Sequence, residues 1–108
     1  MKVRLDPTEG SEQAGTRPAI VVSPTFMNER SNVLLVAPIT SRKVDRVFEF
    51  EVLLDHEACG LEVASKALMN QLRTIDKRRI VGGYGVVDSV TQQAIDFALE
   101  IAVGLVEL

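Results

Sequence analysis

The segment 18–39, "PAIVVSPTFMNERSNVLLVAPI", contains two apolar runs and decides the fold class. The runs 18–23 and 32–39 are rich in Val and Ile and are bounded by Pro, Ser and Asn, a pattern typical of buried β-strands. The piece between them has turn residues at each end, so it predicts a connection. We therefore expect two buried strands joined within one short segment.

Further strands are predicted downstream. The segment 48–54, "FEFEVLL", alternates apolar and acidic residues as a half-exposed strand does. The segment 55–60, "DHEACG", predicts a loop, and the three glycines in 80–87, "IVGGYGVV", predict a strand with a bulge or sharp bend. The segment 66–75, "KALMNQLRTI", fits either a helix or a strand, and "DKRR" at 76–79 fits one helical turn.

The C-terminal segment predicts a long helix over about 89–106. Ser89 and Gln92 form a capping-box pattern, and the anionic Asp88 suits a helix N-terminus. Apolar residues form two stripes at helical spacing: Val90, Ala94, Phe97, Ile101 and Leu105, and then Ile95, Leu99, Ala102 and Val106. Such a helix is either deeply embedded or in contact with a second copy of the chain.

The length of 108 residues predicts one domain, 1–108, with strands over about 1–87 followed by the helix. Strands first and a helix last indicate a small, strongly bent sheet or barrel closed by a terminal helix. The single Cys59 excludes an intramolecular disulfide framework, and with the single His56 it makes a zinc site improbable. With neither a long apolar run nor a signal-peptide pattern, we expect a cytoplasmic protein without a membrane span.

The net charge of −3 argues against nucleic-acid binding, for which a basic footprint is expected. The distribution of charge is uneven, however. Residues 88–108 carry four acids and no base, whereas 41–46 carries three bases and 73–79 carries four, each with one acid. From charge alone, the two basic segments are read as solvated turns.

Three polar clusters border the apolar strands, and each could bind a phosphate. In the first cluster, Arg17 precedes Pro18, and the residue before a proline favours extended backbone. Its guanidinium would therefore lie at the end of a strand, where it suits bidentate capture of a phosphate. The clusters are Glu12, Gln13 and Arg17; Thr40, Ser41, Arg42 and Lys43; and Asn70, Gln71 and Arg73. Taken singly, each is also explained by a salt bridge, a capped turn or a polar surface.

The segments "LDPTEGSEQAGTRPAIVVSP", "VAPITS" and "LRTIDKRRI", in this order and spacing, resemble the MazF/PemK family of toxin endoribonucleases over nearly the whole chain. The resemblance implies a mainly β fold, a small SH3-like β-barrel with a C-terminal α-helix, working as a homodimer. It also implies cleavage of single-stranded RNA, mostly mRNA, at short motifs without a metal or cofactor. A cognate MazE-like antitoxin would hold the toxin inactive by occupying the RNA groove.

By the same resemblance, the catalytic arginine and threonine fall on Arg17 and Thr40. Glu12 and Gln13 match the loop beside the arginine, Ser41 follows the threonine, and Gln71 and Arg73 match the wall of the RNA groove. The chemistry agrees, because RNA supplies its own 2′-OH nucleophile and needs the developing phosphorane charge stabilised. Arg17 is permanently protonated, so we assign it as a phosphate clamp and Glu12 as the candidate base or orienting group.

Two departures from the family pattern leave alternatives open. Asn70 stands where relatives often carry a carboxylate, and only "MKVRL" precedes the "LDPT" motif, where relatives have a fuller strand. The alternatives are a catalytically degenerate or CcdB-like toxin that binds a protein target such as DNA gyrase, and a plain adaptor barrel. His56, in an acidic loop, retains a minor chance of a catalytic role.

Overall fold

The computed structural model describes residues 2–5 and 17–107. The strands are β1 (Lys2–Leu5), β2 (Arg17–Val21), β3 (Val33–Thr40), β4 (Glu51–Leu54), β5 (Ser65–Leu68), β6 (Arg73–Asp76) and β7 (Ile80–Gly85). The helices are α1 (Thr25–Arg30), α2 (His56–Cys59) and α3 (Ser89–Ala102), with 3₁₀ turns at Met69–Gln71 and Lys77–Arg79. The predicted fold class, mainly β with a C-terminal helix, is confirmed.

The strands form one antiparallel sheet in the order β4-β5-β3-β2-β1-β7, with β6 also paired to β3. Within the described residues, β4 and β7 are the two ends of this order, so the sheet is open rather than a closed barrel. The bulge predicted from the glycines is confirmed, because the register between β1 and β7 shifts twice.

Strand β3 is central because it uses both of its edges. One edge pairs with β2, and the other pairs with β6 along its first half and β5 along its second half. On β3, only residues 37 and 38 lie between the pairs Val36–Arg73 and Ile39–Ala67. On the opposite segment, the five residues 68–72 lie between the same two pairs. The surplus of three residues is taken up by the 3₁₀ turn Met69–Gln71. This break resolves the ambiguous segment 66–75 as strand, turn, strand.

Alternation along β2 and β3 produces two hydrophobic clusters, one on each face of the sheet. Ile20, Ala37 and Ile39 belong to the larger cluster, which also contains Ile95 and Ala98 of α3. The smaller cluster lies on the opposite face and consists of Ala19, Val21, Leu34, Val36 and Ile75. Successive residues of one strand therefore contribute to different cores.

The predicted strand 48–54 begins only at Glu51. Within β4 the predicted half-exposed alternation is present, because Val52 and Leu54 are buried while Leu53 is exposed. The predicted loop 55–60 contains the short helix α2. The predicted helical turn at 76–79 is confirmed as the second 3₁₀ turn.

Helix α3 is shorter than predicted and has a different cap. Asp88, rather than Ser89, is the N-cap, and its carboxylate accepts the Thr91 N–H at 2.7 Å. The helix stops at Ala102 because Gly104 has φ +81, a left-handed conformation that favours glycine and terminates helices. Ile95 and Ala98 face the core, whereas Phe97 remains exposed.

A buried ion pair joins β4 to β5. Lys66 Nζ donates to Glu51 Oε1 at 2.7 Å, and the two side chains are only 6% and 9% exposed. The same ammonium donates to the Arg46 carbonyl at 2.7 Å, and Glu51 Oε1 accepts the Phe48 N–H at 3.0 Å. Burial alone would raise the pKa of Glu51, but these hydrogen bonds and the lysine charge leave it below its ordinary value.

In the described part of the chain, no helix has the length and apolar character that crossing a membrane requires.

We expect Glu51→Gln to lower the free energy of unfolding by about 3–5 kcal/mol, because it leaves the Lys66 ammonium buried without its counter-charge. The double variant Lys66→Met/Glu51→Leu removes both charges and should lose far less. Urea unfolding of the wild type, Glu51→Leu, Lys66→Met and the double variant measures this as a cycle, with Glu51→Gln measured beside it. Equal losses in the single and double variants would contradict it.

The lowered pKa of Glu51 determines whether its contribution to the stability of the protein rises or falls with pH. Its stabilising contribution is present above the ordinary carboxyl value of 4.5 and is lost as pH falls through the lower folded value. Wild-type stability should therefore decline more steeply below about pH 4.5 than that of Lys66→Met/Glu51→Leu. Urea unfolding across a pH series checks this, with the exposed Glu49→Gln as a control that keeps the wild-type slope.

Candidate active site

A groove of about 750 Å³ opens on the sheet face opposite α3. Its walls come from β2, β3, the turn after β3, and the segment from β5 to β6. The lining residues are Arg17, Pro18, Val36, Pro38, Ile39, Thr40, Ser41, Arg42, Leu68, Gln71 and Arg73. Residues from all three sequence clusters are therefore brought to one surface.

The pairing of β2 with β3 brings Arg17 and Thr40 to the same groove. The strands are antiparallel with Ala19 opposite Pro38, and continuing this register by two residues places Arg17 across from Thr40. On β3, Leu34 and Val36 are buried in the smaller cluster. Because side chains alternate, Pro38 and Thr40 continue on that face beyond the cluster, where the groove is open.

The Thr40 hydroxyl is held by the turn that follows β3. Its Oγ1 accepts the Arg42 N–H at 3.1 Å. A hydroxyl has one hydrogen and two acceptor lone pairs, and this bond uses a lone pair. The hydroxyl hydrogen can therefore be donated to an oxygen of a ligand in the groove.

The break between β5 and β6 places Gln71 and Arg73 on the opposite wall. Met69 anchors the 3₁₀ turn by being fully buried, whereas Gln71 is exposed and lines the groove. Arg73 is exposed on β6 and pairs with Val36 across the strands. An unbroken strand would have no surplus residues to form this wall.

The groove is cationic although the chain has a net charge of −3. Arg17, Arg42 and Arg73 line it, and no acidic residue is among the described residues of the lining. Converging guanidinium groups in a concave surface attract anions and suit bidentate phosphate contacts. Local arrangement therefore overrides the overall charge, which by itself argued against nucleic acid.

The other residues that were predicted for the site do not all line the groove. Ser41 and Arg42 line the groove, whereas Lys43 and Asn70 are exposed on the adjoining turns and are not among the lining residues. Glu12 and Gln13 lie outside the described residues, so their roles stay predictions. His56 lies on α2 and does not line the groove.

Neither the burial of Lys66 nor the stacking of Phe48 on Phe50 is predicted from the sequence. The rings of Phe48 and Phe50 are stacked, with centroids 5.5 Å apart and an interplanar angle of 4°. The repeated Phe in "FEFE" was the available signal, but it was interpreted as strand alternation. Nothing in the sequence indicates that Lys66 is 4% exposed.

The part of the chain that the structure describes contains no evident metal-binding site. There, no three His, Cys, Asp or Glu side chains come close enough together to hold an ion. What the groove does offer is guanidinium, hydroxyl and amide donors around an open, partly apolar floor. This set can bind a phosphodiester and stabilise negative charge that develops on it.

Comparison with known proteins agrees with this geometry. Residues 1–103 match the family described as PemK-like, MazF-like toxin of type II toxin-antitoxin system. The chain is 36% identical to Endoribonuclease MazF9 of Mycobacterium tuberculosis, over 96% of this chain and 92% of that protein. It is 34% identical to Endoribonuclease EndoA of Bacillus subtilis, over 95% of this chain and 89% of the relative.

A solved structure of MazE-MazF from Deinococcus radiodurans superposes with a TM-score of 0.73 at 25% identity, covering 95% of this chain and 92% of that one. Fold, groove and sequence similarity all lead to one assignment. The chain belongs to the family of PemK-like, MazF-like toxins of type II toxin-antitoxin systems.

Proposed function

We propose that the chain is one toxin domain that acts as an endoribonuclease on single-stranded mRNA in the cytoplasm. The observation that carries this proposal is the convergence of Arg17 and Thr40, from separate strands, on one cationic groove. The named activity of the relatives MazF9 and EndoA supports it. A DNA gyrase poison or an adaptor has no comparable observation in its favour.

The reaction is a transesterification in which the substrate's 2′-oxygen attacks the adjacent phosphorus. The 2′-hydroxyl proton passes to a base as the new bond forms, the bond between phosphorus and the 5′-oxygen breaks, and the leaving oxygen takes up a proton. The products are a 2′,3′-cyclic phosphate and a 5′-hydroxyl end. Because the nucleophile belongs to RNA, the protein's task is to hold the phosphate and stabilise its added charge. The mechanism uses no metal or other cofactor.

The groove residues take distinct roles in this mechanism. Arg17 clamps the scissile phosphate with two N–H donors, and the Thr40 hydroxyl donates to a phosphate oxygen as negative charge grows. Ser41, Arg42, Gln71 and Arg73 hold the flanking nucleotides. The described lining contains no carboxylate or imidazole, so the proton acceptor is proposed to be Glu12, five residues before Arg17 in the sequence.

Two partners complete the proposal. The protein forms a homodimer, which is supported by exposed apolar side chains on and just after α3: Val90 and Phe97 of the helix and Leu105 beyond its end are 74%, 53% and 77% exposed. A MazE-like antitoxin binds and inhibits it, a proposal supported by a structural relative from Deinococcus radiodurans that was solved as MazE-MazF. An acidic segment of such an antitoxin would compete with RNA for the three groove arginines.

Arg17→Ala and Thr40→Ala should each lower kcat by about 10²–10³, because each removes a donor aimed at the developing charge. The measurement is cleavage of single-stranded RNA in EDTA, with the product ends identified as cyclic phosphate. Thr40→Ser keeps the hydroxyl and should retain most of the activity.

Arg30→Ala is the matched control for Arg17→Ala. It removes the same charge from an exposed residue of α1, which lies at the other end of β3 from Thr40. Loss of activity in this variant comparable to that in Arg17→Ala would assign the effect to overall charge. Full activity in both site variants would remove Arg17 and Thr40 from the mechanism.

Phe97→Asp should convert the dimer to a monomer, because it places a charge within the apolar stripe. Sedimentation velocity at several concentrations measures the mass. Gln92→Glu, at an exposed polar position of the same helix outside this stripe, is the control and should leave the dimer intact. A Phe97→Asp dimer of wild-type affinity would place the interface elsewhere.

A further inference from the structure

We propose that Arg46, Phe48 and Phe50 form a base-stacking platform that holds an unpaired RNA base beside the groove. This inference rests on the proposed function and extends its binding site along the segment 41–50, from Ser41 and Arg42, which line the groove, to residues 46–50, which do not. The platform would grip a nucleotide flanking the cleaved bond. Its occupant is therefore single-stranded RNA.

The three side chains already form a stack. The Phe48 and Phe50 rings are nearly parallel, and the Arg46 guanidinium carbon is 5.9 Å from the centre of the Phe48 ring. Phe48 is 44% exposed, although a ring of this size is usually buried. Aromatic faces and guanidinium planes are the surfaces on which unpaired bases stack.

The platform is held rigidly by the buried ion pair. Lys66 Nζ binds the Arg46 carbonyl, and the Glu51 carboxylate binds the Phe48 N–H. The Glu51 N–H in turn donates to the Phe48 carbonyl at 2.9 Å. A preformed aromatic surface loses little conformational freedom when a base binds, which favours affinity.

The same ion pair connects the platform to the groove. Lys66 is the cross-strand partner of Thr40, and Glu51 is the partner of Leu68, another groove residue. The Phe50 carbonyl accepts the Met69 N–H at 3.0 Å, at the start of the turn that carries Gln71. The backbone that carries the stack is thus joined by strand pairing and a hydrogen bond to the segments that form two walls of the groove.

The charge of the turn agrees with a nucleic-acid occupant. Residues 41–50 carry three bases, Arg42, Lys43 and Arg46, against two acids, Asp45 and Glu49. Basic side chains for the backbone, together with aromatic rings for the bases, are the combination found in single-strand binding surfaces. A buried protein interface would instead favour few charges at its centre.

Phe48→Trp tests the stacking directly, because the natural chain contains no tryptophan. The probe is a mixed-sequence, fully 2′-O-methylated oligoribonucleotide about 16 nucleotides long, which cannot be cleaved. Its binding should quench the emission of Trp at position 48 to saturation. The same oligonucleotide in a duplex should not quench it, because its bases are already stacked.

Phe26→Trp is the matched control. Phe26 is 61% exposed on α1, at the opposite end of β3 from the turn 41–50, so its emission should not change on binding. Equal quenching at both positions would overturn the proposal, since it would show non-specific contact.

Affinity gives an independent readout. Phe48→Ala and Phe48→Leu should weaken binding of the oligonucleotide about five- to a hundredfold, the range for losing one base–aromatic stack. Phe48→Tyr keeps the ring and should bind as the wild type does. The leucine variant stays informative if the alanine variant fails to fold, which thermal melting by circular dichroism reports.

The outcomes separate this inference from the proposed function. Cleavage by the wild type together with wild-type affinity in Phe48→Leu would overturn the platform alone. A wild type that neither binds nor cleaves RNA would overturn both. If Phe48→Leu lowers the molecular mass in sedimentation and leaves RNA affinity unchanged, the aromatic pair is a protein interface and the proposal is wrong.

Discussion

The structure depends on the way β3 distributes its side chains between the two faces of the sheet. Ala37 and Ile39 pack toward α3, while Leu34 and Val36 pack into the smaller cluster on the other face. Because the period of a strand is two, Thr40 must follow Val36 on that second face. The smaller cluster ends before it reaches Thr40, so the same alternation that fills the core also exposes the candidate catalytic hydroxyl.

Both edges of β3 are used, and this gives the groove its two walls. The pairing with β2 brings in Arg17, and the interrupted pairing with β5 and β6 brings in Gln71 and Arg73. The interruption is stabilised by Met69, which is fully buried, so the turn is part of the fold. A one-residue slip in either pairing would turn these side chains away from the groove.

The buried Lys66–Glu51 ion pair has a structural role in spite of its desolvation cost. Two buried charges are poor sources of net stability, yet here they fix the backbone of the turn 46–50 through two further hydrogen bonds. The turn adjoins the groove and carries the stacked aromatic rings. The ion pair therefore specifies one conformation of a surface that would otherwise have several.

The net charge of the chain and the local charge of the groove have opposite signs. The acids and bases of the chain sum to −3, but the acids of 88–108 lie in and around α3, whereas three arginines meet in the groove. Binding of a polyanion responds to the local field, which a concave surface concentrates. Net charge alone is thus a poor guide to the ligand of this protein.

The sequence by itself determined the apolar strands, the glycine-rich bulge, the C-terminal helix and, through motifs that resemble a known family, the candidate residues Arg17, Thr40, Gln71 and Arg73, which all line the groove. These features depend on periodicity and on residues close together in the chain. The break at Met69–Gln71 and the burial of Lys66 were decided by tertiary structure. Each depends on which distant residues are neighbours, and strand register, which the linear sequence does not encode locally, sets those neighbours.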